Sequence, residues 1–248
     1  MQKTALVTGG SKRIGKAICQ GLADAGYAVA VHYNTSREPA KSVAMEIVNA
    51  GGKAVAVGAN LAAEDETSML LNRAAAALGP VNLLINNASL FEEDTFGEIN
   101  GELFDLHFNV HVKAPALLAS AMAAQEISDG LIVNIIDERV WKLTPNFASY
   151  TLSKSTLWTA TKTMAQALAP RIRVNAIGPG PTLPSHRQTQ ADFDDQVKTL
   201  LLQRSPELRE FTDTILFFER ARSVTGQMIA LDGGQHLGWQ TPDQRAPE

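Results

Sequence analysis

Cysteine is almost absent, and the single Cys19 excludes an internal disulfide. Because it falls within an apolar helical pattern, it reads as an inert core thiol, not a nucleophile. Long apolar runs are missing too: no stretch reaches the roughly 18 residues that a membrane-spanning helix needs. The N-terminus runs straight into a strand pattern, without the basic, apolar and cleavage regions of a secretory leader. A cytoplasmic location and no membrane partner are therefore expected. Basic residues form no block: 22 Lys and Arg stand against 26 Asp and Glu, for a net charge of −4, which leaves no electrostatic footprint for nucleic acid. What is present, 45% apolar and 19% charged residues in a chain of 248, suffices for a sizeable core. The expected partner is a small molecule, and no metal is expected.

Short β-rich apolar runs alternate with longer helical patterns along nearly the whole chain. The strands are read at Thr4–Thr8, Ala28–Tyr33, Ala54–Gly58, Leu83–Asn86, Leu131–Ile136, Arg173–Ile177 and Gln227–Leu231. Between them, apolar residues at three- and four-residue spacing predict helices over Ile14–Ala25, Pro39–Ala50, Glu64–Leu78, Gly101–Ala124, Phe147–Ala169 and Pro206–Ala221. This alternation predicts an α/β fold, a doubly wound parallel sheet of about seven strands with helices on both faces, of Rossmann type. No second αβ run starts afresh, so residues 1–248 read as one domain. Two stretches stand apart from the alternation, 178–203 and a polar tail over about 235–248. The first follows a strand's carboxyl end, where open α/β sheets hold ligands. It reads as a substrate loop or lid, the alternative being a short surface helix plus linker.

Residues Thr4–Ala17 read strand, then a turn with Gly9, Gly10 and Gly15, then an amphipathic helix. Gly9 permits a tight turn and close approach to a ligand, Gly15 lets the helix pack near the strand, and the helix N-terminus offers unpaired N–H groups to a pyrophosphate. An NAD-preferring site usually carries an acid at the end of the second strand. Here that position reads His32-Tyr33-Asn34-Thr35-Ser36-Arg37, with Lys12 and Arg13 in the turn, a set of donors and cations suited to the 2′-phosphate of NADP(H). Asn60, after the third strand, either contacts the adenine or forms a turn. Farther along, Tyr150 and Lys154 are four residues apart in a helical pattern, so their side chains share a face. An ammonium beside a phenol stabilises its anion and suits it to proton delivery coupled to hydride transfer.

Five motifs in order, Thr8-Gly9 with Gly15, Asn86-Asn87-Ala88, Tyr150 with Lys154, Gly178-Pro179-Gly180 and Asp232-Gly233-Gly234, resemble the short-chain dehydrogenase/reductase family over essentially the whole chain. The resemblance implies that Tyr150 donates the proton, that Lys154 lowers its pKa and binds the nicotinamide ribose, and that the Asn-Asn-Ala turn supports the sheet and cofactor. It also implies that Ile14, Leu61, Asn87, Ala88, Pro179, Gly180 and Thr182 line the cofactor site, and that the protein is a homotetramer paired through the two long helices.

Three positions depart from the family pattern: Asp137 where a Ser is usual, Arg13 where a Gly is usual, and His111 where a helix Asn is usual. A carboxylate only accepts hydrogen bonds and repels a developing oxyanion, so Asp137 argues against ordinary ketone reduction. It suits a nitrogen-rich ring, relaying a proton toward Tyr150 or binding ring N–H groups while hydride adds to C=N. Asp137, Tyr150 and Lys154, with Thr8, Gly9, Arg13 and Gly15, resemble the pteridine reductase subgroup. That likeness extends to Ser89 and Phe91, implying that Phe91 stacks a pterin against the nicotinamide, that Ser89 lies near both, and that Arg13 contacts phosphate and substrate. His111 either alters the family's proton relay or is a structural His bonded to backbone. The expectation is an NADPH-dependent reductase of a dihydropterin or dihydrofolate-type ring. The alternatives are a reductase of a ketone, acyl thioester or other C=N compound, and a non-catalytic NADP(H)-binding sensor.

Overall fold

The computed structural model describes residues 2–239. Seven strands, β1 (Thr4–Val7), β2 (Ala28–Tyr33), β3 (Lys53–Gly58), β4 (Val81–Asn86), β5 (Gly130–Ile135), β6 (Ile172–Pro179) and β7 (Met228–Leu231), form one parallel sheet in the order β3-β2-β1-β4-β5-β6-β7. Every residue of β1 and of β5 is buried, as expected of strands covered on both faces. Alternation along the strands divides the core. Ala5, Val7, Val29, Val31, Leu83 and Ile85 face α1 (Arg13–Asp24), α2 (Arg37–Asn49) and α8 (Leu208–Arg220). Leu6, Ala30, Leu84, Ile132 and Val174 face α3 (Glu64–Leu78), α5 (Ala114–Ala123) and α6 (Ala148–Leu168). Cys19 lies inside the first layer, fully buried, and burial pushes its thiol pKa up, out of nucleophilic range. No described helix is long and apolar enough to cross a membrane.

One expectation needs correction, and the two stretches set apart from the alternation hold regular structure of their own. The helix predicted over Gly101–Ala124 is divided: α4 (Gly101–Phe108) passes through a π-helical stretch, Asn109–Lys113, into α5. Pro115 is the cause, since it offers no N–H to the carbonyl of His111 and its ring crowds that carbonyl, so the preceding turn widens. In the stretch 178–203, β6 continues to Pro179 and Gln190–Lys198 forms α7, a short helix as in the alternative reading. A reciprocal capping box between Thr189 and Asp192 starts this helix, and Phe193 is its buried anchor. The tail expected from 235 begins with a 3₁₀ turn, Gln235–Leu237, held by Lys142 Nζ donating to Gln235 O at 3.2 Å and by His236 packed on Trp141. Residues 240–248 of that tail lie outside the described residues.

Candidate active site

Strand order reverses between β1 and β4, and a crevice opens there at the carboxyl ends. The turn after β1 shapes its floor. Gly9 has φ +63°, and a Cβ on it would stand 3.0 Å from Ala88 Cα; one on Gly15 would stand 2.2 Å from Gly9 O. Only glycine fits these places. The turn is braced from β4: Asn87 Nδ2 donates to Thr8 O (2.9 Å) and Gly9 O (3.2 Å), while Thr8 Oγ1 accepts from the backbone N–H groups of Asn87 and Ala88. Asn86 continues the brace into the sheet through Asn134 and Thr161.

A cavity of about 410 Å³ runs along this turn, lined by Gly9, Lys12, Arg13, Ile14, His32, Asn34, Asn60, Leu61, Asn87, Ala88 and Ser89 among others. No acidic side chain among the described residues lines it. The N-terminus of α1 meets it without a side-chain cap, so its first N–H groups remain available to an anion. Some expected residues act differently from the reading above. His32 is not a free donor at the cavity wall: Gly9 N donates to its Nδ1 at 3.0 Å and its Nε2 meets Ala59 O at 3.0 Å. The ring is thus consumed in holding the glycine turn, and burial lowers its pKa to about 4, so it is neutral near pH 7. Asn60 takes the turn-forming alternative, its Oδ1 accepting from Ala62 N while the residue still lines the cavity. Tyr33, Ser36 and Arg37 do not line it. The Tyr33 ring fills the space over Gly58, Ser36 stands at the N-cap of α2, and Arg37 is exposed in that helix's first turn.

Arg13 departs most from a simple ligand. Its φ is +50°, the left-handed region where glycine is the usual occupant. Its guanidinium donates to Pro184 O (2.9 Å) and Leu183 O (3.2 Å) in the segment after β6. It lines both this cavity and a second of about 460 Å³ beside it.

The second cavity collects Asp137, Tyr150, Lys154, Phe91, Ser89, Pro179, Gly180 and Thr182. Tyr150, on α6, is 5% exposed, and its hydroxyl donates to Asp137 Oδ2 at 2.7 Å. Burial, then the negative charge of Asp137, raise the phenol pKa well above its ordinary value. Lys154, one turn on, donates to Ile135 O at 2.9 Å and lies 5.7 Å from the Tyr150 ring centre. Burial lowers its pKa to about 8, partly offset by Asp137. Asp137 stands just past β5, its Oδ1 accepting from Arg139 N. A proton donor, a carboxylate acceptor and a cation therefore meet at one point.

Phe91 reaches the same cleft because its loop is pinned to the start of α6. Asp94 Oδ1 accepts from Ser149 N, and Asp94 O from Ala148 N. Phe91 meets the Tyr150 ring edge-on at 4.8 Å and stacks on Phe147 at 4.3 Å. Phe147 thus covers one face of Phe91, leaving at most the other for a flat ligand. Phe147 holds φ +57°, a left-handed conformation that a bulky residue adopts only under local constraint. His111, in the π-helical stretch, accepts from Leu90 N at Nε2, so its Nδ1 carries the hydrogen and donates to Ser153 Oγ at 2.8 Å; Ser153 in turn donates to Tyr150 O. Ser89 Oγ is 3.0 Å from the same Nε2. His111 thus ties the Ser89–Leu90 segment to the Tyr150 helix. Burial holds it neutral. Phe147, Arg139, Arg187, Ser153 and Phe193 were not among the residues expected from sequence; the capping box pointed to the helix carrying Phe193, and nothing local marks the others.

The parallel sheet with its crevice and the Tyr150–Lys154 pair define a dinucleotide-type oxidoreductase scaffold. A family model for short chain dehydrogenase matches residues 3–195, and the chain belongs to the short-chain dehydrogenase/reductase family, as an oxidoreductase. Among solved structures, it is similar to FolM alternative dihydrofolate reductase 1 from Brucella canis, complexed with NADP. The two share 56% identity over 97% of this chain and 96% of that one, with TM-score 0.94. A short-chain dehydrogenase from Burkholderia cenocepacia, also with NADP, is 31% identical over 94% and 97%, with TM-score 0.88. Among curated relatives, the 3-oxoacyl-(acyl-carrier-protein) reductase FabG of Staphylococcus epidermidis is 30% identical over 96% of this chain and all of its own length.

Proposed function

We propose that the protein is an NADPH-dependent reductase of a dihydropterin or dihydrofolate-type ring. The observation that carries this reading is the Asp137 carboxylate accepting the Tyr150 hydroxyl at 2.7 Å in a cleft walled by Phe91. A carboxylate there repels the oxyanion of a reduced ketone but accepts N–H groups, which a pterin supplies. The relatives named as 3-oxoacyl reductases are 30% identical, against 56% for the FolM structure, and identity supports the pterin reading over a β-ketoacyl thioester.

The cavity along the glycine turn fits NADP(H). The uncapped N-terminus of α1 suits a pyrophosphate, and the acid-free lining with Lys12 and Arg13 suits a 2′-phosphate. Bound there, the cofactor supplies the hydride. The remaining work falls to the chain. Tyr150 holds its proton at rest, because burial and Asp137 oppose its ionisation. As the ring nitrogen gains negative charge, Tyr150 delivers that proton, and the Lys154 ammonium stabilises the phenolate left behind. Asp137, accepting from the ring N–H groups, orients the ring against Tyr150. The homotetramer implied by the family likeness belongs to the same reading, supported by Leu106 and Leu152, exposed on α4 and α6.

The test is NADPH oxidation by the purified protein with dihydrobiopterin, dihydromonapterin and dihydrofolate, set against a panel of ketones and β-ketoacyl thioesters. Turnover of at least one pterin in preference to the panel is expected; turnover of carbonyl compounds alone would remove the proposal. The pH profile carries a sign. Because Lys154 has a pKa lowered to about 8, it is charged below that value, and pterin kcat/KM is expected to decline as pH rises through about 8.

A further inference from the structure

The cleft contains a positive group that the ring chemistry leaves unused. Arg139 follows Asp137 on a 3₁₀ turn, Glu138–Val140. Its backbone N–H is taken by Asp137, but its Nη1 is buried and has no hydrogen-bond partner among the described residues. The guanidinium carbon lies 5.0 Å from the Phe91 ring centre and 5.2 Å from that of Phe147. Near-equal distances to two stacked rings place it alongside the pair, not over an outer face. Arg187, from the segment after β6, takes a similar position at 5.0 and 5.4 Å. Arg187 is already engaged, donating to Phe91 O at 2.8 Å and pairing with Glu92 at 3.4 Å. A buried N–H without an acceptor is costly, and the partner that best matches a guanidinium fork is a carboxylate.

Position narrows which carboxylate. The Phe91 ring centre is 4.8 Å from that of Tyr150, and the Arg139 guanidinium carbon is 5.0 Å from the Phe91 centre. The guanidinium and the proton donor therefore both border the Phe91 ring, as does Arg187, which has 30% of its side chain exposed. Asp137, bonded to Tyr150, opposes an anion held there, and Glu138 lines the same cleft. Arg139 and Arg187 both border the Phe91 and Phe147 rings, with Glu92 as the charge opposing Arg187.

The geometry points to a tail subsite in which Arg139 binds a carboxylate carried on the tail of the flat substrate, the spacer lying along Phe91 and Phe147. This inference rests on the pterin reading and names its substrate class as carboxylate-tailed, in contrast to neutral-tailed, pterins.

The test compares kcat/KM for dihydrobiopterin, with a neutral side chain, dihydropteroate, with an aryl carboxylate, and dihydrofolate, with glutamyl carboxylates. The wild-type protein is expected to favour a carboxylate-bearing substrate over the neutral one by about tenfold or more, a ratio worth one charged contact. Arg139→Gln is expected to erase that ratio and Arg139→Lys to restore part of it. Preference for dihydropteroate alone assigns the aryl carboxylate, which dihydrofolate carries only as a neutral amide; preference for dihydrofolate alone assigns a glutamyl one; preference for both shows that Arg139 accepts a carboxylate at either place. The ratio cancels any general loss of activity. Should Arg139→Gln not fold, the wild-type ratio is still expected to fall as added salt shortens the Debye length from about 30 Å to about 8 Å. Equal kcat/KM for all three substrates, or a ratio indifferent to Arg139→Gln and to salt, overturns the tail subsite and leaves the pterin reading standing. Absence of turnover with all three overturns both.

Discussion

Tyr150→Phe is expected to lower kcat/KM for a dihydropterin by about 10³-fold, within the range for loss of a positioned acid, while NADPH binding persists. The hydroxyl is the group that joins the buried helix face to Asp137. Phenylalanine keeps the ring against Phe91 and removes only the proton. Single-turnover NADPH oxidation, read beside a fluorescence titration of NADPH binding, separates the two effects. A variant retaining activity within about tenfold of wild type would show that the proton comes from elsewhere, because a lost general acid costs at least about 10².

Asp137→Ser is expected to reverse substrate preference. A serine hydroxyl can still accept from Arg139 N, as the carboxylate does now, but it donates toward a carbonyl oxygen and no longer repels the charge that forms there. Pterin kcat/KM should fall by about 10²-fold, and activity toward simple ketones or a β-ketoacyl thioester should rise by about tenfold, magnitudes typical of one catalytic hydrogen-bonding group. Assaying both substrate classes on one preparation gives the answer. Unchanged pterin turnover in Asp137→Ser would detach the carboxylate from substrate choice.

The strands were legible because β1, β2, β4 and β5 are covered on both faces and so read as short, nearly unbroken apolar runs. The division of the long helix was also written in the chain, at Pro115, but a proline near a helix start is ordinary, and only its place four residues after His111 reveals the widened turn. The helix Gln190–Lys198 carries a capping signal but buries little beyond Phe193, so its periodicity is weak. Tyr150, Lys154 and Asp137 were legible because their spacing is local to one strand–helix passage. Arg139, Phe147 and Arg187 were not, since each gains its role from contacts between distant segments. His32 holds a role that the sequence did not display. Its place at the end of β2 looked like a ligand position, whereas its two ring nitrogens serve neighbouring backbone.

The strand order also fixes when the first cavity can exist during synthesis. β1 leaves the ribosome first, yet it lies between β2 and β4, and its turn is braced by Asn87 and Ala88. Until residue 88 has emerged, Thr8 Oγ1 lacks both of its backbone donors, and the glycine-rich segment has no mould to hold its left-handed bend. Contacts so far apart in sequence close slowly and late. The nucleotide cradle therefore forms only after the strand that braces it has been made, although one of its walls is encoded 80 residues earlier.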